Sequence, residues 1–295
     1  MGVKKAVVFV NLHKKDADKV AEQIRLELTK KNIEVTIFPC KWGAYKPTGE
    51  KWDIAFCLGG DGTVLYTARC LASAGTPILP VNLGTLGFIA SVHKDEWLEV
   101  FERWEKEEAD FSPRCMLEVS VERKGENVIK TTCLNDAVIS ATGIAKLIKL
   151  NVHSCIIPGE YTELGFYRCD GLIIATPTGS TGYSLAAGGP ILDPEMEATI
   201  LNPICPFTLS NRPLVLPSKL ALIVTVADEQ RSGVILTIDG QDTFTLECKD
   251  RIMIQQAPWH AKLISADRHA YYSALCTKLS WSGDVVYDGS GGFHA

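Results

Sequence analysis

Residues 54–68 place one carboxylate inside a glycine-rich turn, an arrangement that suits phosphate chemistry. The segment reads IAFCLGGDGTVLYTA, and its turn consists of Gly59, Gly60, Asp61 and Gly62. Glycine lets the main chain approach a ligand closely, and a helix that starts here directs free N–H groups towards an anion. Because Asp61 repels phosphate, it is expected to hold a divalent cation or to accept a hydroxyl proton beside the phosphates. A helix-capping role for Asp61 is the alternative that this segment alone leaves open.

The glycine turn does not match the common templates for phosphate or acyl chemistry. No lysine follows the glycines as in a P-loop, and Leu65 stands where the dinucleotide fingerprint needs its third glycine. In the later segment PTGSTGY, Thr178 stands where a serine-hydrolase elbow has its first glycine. These three classes of site are therefore not indicated.

Three further loops combine glycine with polar side chains. VNLGTLGFIA carries Asn82 and Phe88 just after a predicted strand, at the edge where open sheets bind ligands. CDGLIIATPTGSTGYSLAAGGPI offers hydroxyl groups and an aromatic ring that could bind a sugar and stack on a base, and TIDGQ adds Asp239. The presence of four such loops in one chain favours a shared site over four unrelated turns.

Hydrophobic periodicity predicts two kinds of architecture in the chain. In the first third, strands at 5–10, 33–38, 52–58 and 77–82 alternate with helices near 17–28, 63–74 and 93–108, which indicates a parallel sheet covered on both faces. Beyond about residue 110, short alternating runs predict a β-sandwich-like half. Within it, the stretch 128–140 is predicted to be one returning strand.

We therefore expect an α+β two-domain chain, with an N-terminal α/β parallel-sheet domain and a C-terminal β-sandwich-like domain. Residues 1–112 form the α/β nucleotide-phosphate domain that carries GGDGT, and the tail 266–295 is expected to rejoin it. Residues 113–265 form the β-rich domain. The length of 295 residues is sufficient for both.

Composition limits the classes of function. A formal net charge of −5 provides no basic field for nucleic acid or an anionic membrane. No signal peptide is predicted, and the uncharged run 171–192 holds five glycines and two prolines, which argues against a membrane helix. Ten cysteines without a C-x-x-C motif indicate no zinc site and favour a reducing, cytoplasmic location.

The order of the motifs resembles the NAD kinase family. GGDGT, NLGTLGF, LND, DGLIIATPTGSTGYSLAAGGPI, PICPFTLSNRPLVLP and IDGQ follow one another between residues 59 and 241, and KLSWSGD is similar to the closing segment of that family. The resemblance implies an α/β domain and a β-rich domain with the site between them. It also implies transfer of the γ-phosphate of ATP to the 2′-hydroxyl of the adenosine ribose of NAD, giving NADP.

The resemblance implies partners and a cofactor as well. The partners are NAD and ATP, and the cofactor is a divalent cation, Mg²⁺ or Mn²⁺. Members of the family are usually homodimers or homotetramers. The residues do not decide whether polyphosphate replaces ATP or whether NADH is accepted.

Carried over by position, the resemblance makes Asp61 the catalytic carboxylate, acting as a base or as a metal ligand. ATP-phosphate contacts are expected from Gly59, Gly60, Thr63 and, from its place at the sheet edge, Asn82. Arg168 and Thr178 are added as NAD contacts because they flank or belong to the polar loop. The other expected NAD contacts are Gly62, Phe88, Asn135, Asp136, Asp170, Thr181, Gly182, Tyr183 and Asp239.

Three positions depart from the family pattern. Gly182 stands where alanine is common, which suggests a looser loop, and Asp136 is the shorter of the two acids found at its position. Phe207 replaces a frequent histidine, so no role is assigned to it.

Two other functions share parts of this pattern. Diacylglycerol and sphingosine kinases also carry GGDGT, but they need a wide apolar acceptor groove, and the polar segment 170–190 argues against one. A non-catalytic dinucleotide sensor on the same scaffold would bind NAD and form no NADP, and the presence of Asp61 argues against that function.

Overall fold

Two β-sheets organise the part of the chain that the structure, a computed structural model, describes. These residues are 2–40, 51–84, 87–109, 111–144, 146–155, 157, 160–208, 210–265 and 269–279. Among the helices in these ranges, none has the length and apolar character needed to cross a membrane.

The first part of the chain forms a parallel sheet with helices on both faces, as the periodicity predicts. Its elements are β1 (Lys5–Val10), α1 (Ala17–Lys30), β2 (Glu34–Pro39), β3 (Ile54–Gly59), α2 (Asp61–Leu71), β4 (Ile78–Asn82), β5 (Val92–His93) and α3 (Trp97–Glu105). The strands pair in parallel in the order β4-β3-β1-β2. Helices α1 and α3 share one core with the sheet, and α2 shares the core on the opposite face.

The second part forms two facing sheets, which confirms the sandwich-like expectation. Its elements are β6 (Phe111–Arg123), β7 (Glu126–Cys133), β8 (Asp136–Ala141), β9 (Ile148–Cys155), β10 (Tyr161–Cys169), β11 (Gly171–Ala175), α4 (Tyr183–Ala186), β12 (Ala198–Ile204), β13 (Leu214–Pro217), β14 (Ala221–Val226), β15 (Val234–Ile238), β16 (Asp242–Leu246), β17 (Arg251–Ile264) and α5 (His269–Leu279). One sheet has the order β13-β12-β11-β8-β15-β16. Buried side chains from both sheets form a common core between them.

Strand β17 joins the two halves of the molecule. It pairs antiparallel with β6 and β14, while its Leu263 pairs in parallel with Ile78 of β4. The order β10-β9-β14-β17-β4-β3-β1-β2 therefore forms one continuous sheet across both halves. The domain boundary at residues 112 and 113 stays a prediction. Most of the tail expected to rejoin the first domain, including residues 280–295, lies outside the described residues.

The expectation of one strand over residues 128–140 is wrong. Strand β7 ends at Cys133 in the large sheet, and β8 begins at Asp136 in the other sheet. Between them, the N–H groups of Leu134 and Asn135 donate to the side chain of Asp239. Because these amides bind a carboxylate, they cannot continue a strand ladder.

Replacing Phe56 should test the core between the parallel sheet, α1 and α3. Phe56 is fully buried, and its ring centroid lies 5.7 Å from that of Trp97 and 5.6 Å from that of Phe101. We expect Phe56→Ala to lower the free energy of unfolding by about 3–5 kcal/mol, because it leaves a cavity. Urea denaturation measures this. The control Leu26→Ala, at a position that is 48% exposed, should cost less than about 1 kcal/mol. Equal losses in the two variants would contradict the assignment of this core.

Candidate active site

Strand β3 delivers the glycine turn to the carboxyl edge of the parallel sheet. Gly60 is extended, with φ −122° and ψ −169°, and α2 begins at Asp61. A Cβ atom on Gly59 would lie 2.1 Å from Oγ1 of Thr63, so a side chain there has no room. The side chain of Thr63 is itself buried, whereas Gly62 is exposed. Apart from the carboxylate of Asp61, the turn therefore offers main chain to a ligand.

The carboxylate of Asp61 binds the main chain of a second loop instead of capping its own helix. Its Oδ2 accepts the N–H of Phe88 at 3.0 Å, and its Oδ1 accepts those of Ile89 at 3.1 Å and Ala90 at 2.9 Å. A Cβ atom on Gly87 would lie 1.8 Å from Oδ1, so this approach requires glycine. The capping interpretation is wrong because Gly60 is the N-cap residue of α2, and the Asp61 carboxylate bonds to residues 88–90 instead.

Asn82 shapes the same loop from the end of β4. Its Nδ2 donates to the carbonyl of Ala90 at 3.1 Å, and its Oδ1 accepts the N–H of Gly84 at 2.7 Å. The side chain is only 2% exposed. Thr85 and Leu86, which complete this loop, lie outside the described residues. Asn82 therefore acts on the loop conformation, and its phosphate contact stays a prediction.

A second carboxylate arranges the LND segment in the same way. Asp239 has φ 51° at the turn after β15. Its oxygens accept the N–H groups of Leu134 at 3.0 Å, Asn135 at 2.8 Å and Asp136 at 3.1 Å, and its own N–H donates to the carbonyl of Asp136 at 2.9 Å. Asp239 therefore positions the pair that the sequence assigns to NAD.

Two buried carboxylates face each other at this point. Burial, and then the negative charge of Asp239, raise the pKa of Asp136 to about 7. Burial also raises the pKa of Asp239 to about 6, although its main-chain donors and the charge of Arg69 act in the opposite direction. Folding thus favours the protonated form of Asp136 near neutral pH.

The TPTGSTGY loop lies directly on Asn135. The N–H of Thr176 donates to the carbonyl of Asn135 at 2.8 Å, and a Cβ atom on Gly179 would lie 2.2 Å from that same oxygen. A Cβ atom on Gly182 would lie 3.4 Å from Nδ2 of Asn135 and 3.9 Å from Oδ2 of Asp136. The loop and the acidic pair therefore form one surface.

Two polar atoms just beneath this surface lack a hydrogen-bond partner in the described part of the chain. Within the described ranges, the buried Oδ1 of Asn135 and Oγ1 of Thr178 have no hydrogen-bond partner. Thr181 is half-buried, and Tyr183 is 51% exposed. Because an unpaired buried acceptor is costly, such atoms favour a ligand that donates to them.

The hairpin after Asp239 connects the two clusters. Nε2 of Gln241 donates to the carbonyl of Gly62 at 2.7 Å. Arg69 of α2 donates to Oε1 of Gln241 at 3.2 Å and pairs with the carboxylate of Asp242. The glycine turn is thereby held beside the segment that Asp239 positions.

Arg168 and Asp170 lie apart from the other predicted site residues. They precede β11, whereas Thr176 follows it, so about six residues of extended chain, roughly 20 Å, separate Asp170 from Thr176. The guanidinium of Arg168 lies 4.5 Å from the ring centroid of Phe207. Within one copy of the chain, these two residues do not join the cluster.

The residues do not form a protein-only metal site. In the described ranges, no group of three or more His, Cys, Asp or Glu side chains could hold a metal ion. Asp61 is the carboxylate at the glycine turn, and its three main-chain donors leave about one of its four acceptor directions free. This fits a cation that is held mainly by a ligand's own oxygens.

Sequence reasoning missed the residues that connect the clusters. Gln241 belongs to the IDGQ motif, but only Asp239 was selected from it. Arg69 belongs to no motif, and a lone arginine on a predicted helix is usually solvated, so the sequence gives no reason to select it. Their partnership joins positions more than 170 residues apart.

Comparison with known proteins finds the same family over both halves of the chain. Residues 43–109 match the family model of the ATP-NAD kinase N-terminal domain, and residues 134–266 match that of the C-terminal domain. The NAD kinase of Treponema denticola is 40% identical over 282 residues, which cover 95% of this chain and 98% of the relative. That of Geotalea daltonii is 37% identical over 287 residues, with 95% and 99% covered.

Two solved structures share the fold. Yeast NADH kinase complexed with NADH has a TM-score of 0.83 at 23% identity, over 96% of this chain and 89% of that one. An NAD kinase from Archaeoglobus fulgidus in complex with ATP has a TM-score of 0.70 at 26% identity, over 94% and 98%.

The raised pKa of Asp136 predicts a pH-dependent stability. The pKa is about 7 in the folded chain and about 3.9 in the unfolded chain, so the stabilisation is complete below about pH 4 and is lost as the pH rises towards 7. We expect Asp136→Asn, which remains neutral, to raise the melting temperature at pH 8 by on the order of 3 °C or more, and by less at pH 5. Thermal unfolding followed by circular dichroism measures both values.

The control for this experiment is Asp228→Asn, at an exposed position beside Lys249. It should show no such difference between the two pH values. If both variants behaved alike, the buried acid pair would not be the source of the effect.

Proposed function

Because the chain belongs to the NAD kinase family, we propose that the two linked clusters transfer the γ-phosphate of ATP to the 2′-hydroxyl of the adenosine ribose of NAD. The activity is that of an NAD kinase, a phosphotransferase that acts on an alcohol group. One observation carries the proposed site: Gln241 holds the glycine turn against the segment that Asp239 positions. The lipid-kinase alternative is wrong, since both matching family models describe NAD kinase domains.

Asp61 acts on the attacking hydroxyl in this proposal. Three main-chain N–H groups fix its carboxylate and leave about one acceptor direction for the ribose hydroxyl. Phosphoryl transfer depends mainly on positioning and on neutralising charge, so a fixed carboxylate that orients and accepts the hydroxyl proton serves the reaction.

The donor phosphates are proposed to lie over the main chain from Gly59 to Thr63. The N–H of Thr63 donates to the carbonyl of Gly60 at 2.9 Å, but those of Asp61 and Gly62 have no main-chain partner among the described residues, which favours an anion at this helix start. A divalent cation, Mg²⁺ or Mn²⁺, would arrive on the ATP phosphates and neutralise their charge, because both ions prefer oxygen ligands. Among the described residues, Asp61 is the carboxylate best placed to approach it.

The acceptor NAD is proposed to occupy the surface of the LND segment and the TPTGSTGY loop. The free acceptors Oδ1 of Asn135 and Oγ1 of Thr178 support this, because an adenosine offers both amine and hydroxyl donors. Tyr183 is exposed beside them and can stack on a base. Asp239 contributes by holding Asn135 and Asp136, so its effect on NAD is indirect.

A homodimer or homotetramer is proposed as the assembly. Arg168 and Asp170 are expected NAD contacts, yet they lie roughly 20 Å along β11 from the TPTGSTGY loop. A second copy of the chain can bring them to the NAD of the first. Cytoplasmic location and polyphosphate as an alternative donor stay predictions from the sequence.

Replacing Asp61 tests its role in the transfer. Asp61→Asn keeps the shape and two of the acceptor directions but removes the charge. We expect kcat to fall by about 10²–10⁴-fold, with the Kd for NAD within about threefold of the original. A coupled assay for NADP and calorimetric titration with NAD measure the two quantities. The exposed Asp53→Asn is the control. NAD binding without NADP formation by the unaltered chain would instead favour the sensor alternative.

The glycines of the TPTGSTGY loop test the location of NAD. Gly179→Ala places a methyl group 2.2 Å from the main-chain oxygen of Asn135 and must displace the loop, whereas Gly182→Ala meets its neighbours at 3.3 Å or more. We expect Gly179→Ala to raise the KM for NAD at least about tenfold and Gly182→Ala to change it less than about threefold. Similar KM values in the two variants would place NAD elsewhere.

A further inference from the structure

A second cavity, of about 600 Å³, borders the loop that binds Asp61. Its walls come from the start of β6, the end of β17, helix α5 and residues 193–195. Among the described residues that line this cavity, Phe88 is the one that also belongs to the proposed NAD site. Its volume lies within the range usual for small-molecule sites.

The cavity contains a buried guanidinium with unused donors. Arg114 is 8% exposed, and its Nε donates to Oγ of Ser112 at 2.9 Å. Within the described ranges, its two terminal nitrogens have no hydrogen-bond or ion-pair partner. Burial lowers the pKa of Arg114, whereas Glu195, Tyr271 and Asp193 raise it. Because an arginine remains charged, the four N–H donors of these two nitrogens are open to an acceptor in the cavity.

Three acidic residues are among the described lining of the cavity, namely Glu108, Asp193 and Glu195. Oε1 of Glu195 accepts the hydroxyl of Ser112 at 2.9 Å, and Oδ2 of Asp193 accepts that of Tyr272 at 2.5 Å. These two bonds are to hydroxyl groups and not to Arg114. Arg103 and Lys262 add positive charge to the exposed side of the lining.

Aromatic rings complete the chemistry of this cavity. Phe111, Tyr271 and Tyr272 line it together with Phe88. The ring centroids of Tyr271 and Phe88 lie 6.4 Å apart, and those of Tyr271 and Tyr272 lie 5.4 Å apart. A planar base can pack on such a wall.

We propose that this cavity binds a nucleoside monophosphate. The guanidinium of Arg114 pairs with the phosphate, since arginine matches oxyanions with two parallel hydrogen bonds. The base packs on the tyrosine and phenylalanine rings. The site is separate from the one that performs phosphoryl transfer.

Calorimetric titration of the full chain with AMP, in the presence of saturating NAD, tests this site. Saturating NAD prevents AMP from occupying the NAD surface. We expect AMP to bind. Adenosine and inorganic phosphate should each bind at least about tenfold more weakly than AMP, and Arg114→Gln should bind AMP at least about tenfold more weakly than the original chain. The matched control Arg251→Gln, at a half-buried arginine on β17 outside the cavity, should bind AMP within about twofold of the original.

A second variant keeps the test decisive if Arg114→Gln does not fold. Lys262→Glu changes an exposed side chain at the same cavity and should weaken AMP binding by at least about fivefold, while the Kd for NAD stays unchanged. Absence of AMP binding at saturating NAD would overturn the proposal. Equal AMP affinities in Lys262→Glu and Arg251→Gln would do so as well.

Discussion

The site depends on one repeated interaction, in which a carboxylate accepts three consecutive main-chain N–H groups. Asp61 binds residues 88–90 in this way, and Asp239 binds residues 134–136. Residues 88–90 lie between β4 and β5, and residues 134–136 lead from β7 into β8. Because buried N–H groups require acceptors, each carboxylate fixes the path of a loop that a strand ladder cannot fix.

The two aspartates differ in how they can act on a ligand. Asp61 is half-buried in an open turn, so it can hold a loop and still approach a substrate. Asp239 is buried, and its oxygens face the protein main chain, so it acts through Asn135 and Asp136. The same burial raises the pKa of Asp136, because its charge has little water and a negative neighbour. Stability is thus reduced at neutral pH to place an acid at the ligand surface.

The sequence predicts features that depend on near neighbours. Alternating strands and helices located β1 to β4, and the glycine motifs located the turn and the loops of the site. It did not predict β10, whose pattern is interrupted by Gly165 at φ 150°, or β12, which contains Pro203. The break between β7 and β8 was missed because its cause, Asp239, lies over 100 residues away. Arg114 was missed because only the fold shows that it lines a cavity with its terminal nitrogens unpartnered among the described residues.

The continuous sheet fixes the distance between the glycine turn and the LND segment. If the halves met only through a linker, the distance between the glycine turn and the LND segment would vary with their relative orientation. Strand β17 instead pairs with strands of both halves, and the hairpin β15–β16 contacts α2 through Gln241 and the largely buried pair Arg69–Asp242. Since sheet pairing and a shielded ion pair both resist displacement, the parts free to adapt to substrates are the glycine loops. These loops are the ones that carry the acceptors and N–H groups assigned to NAD and ATP, so adaptation and binding lie in the same residues.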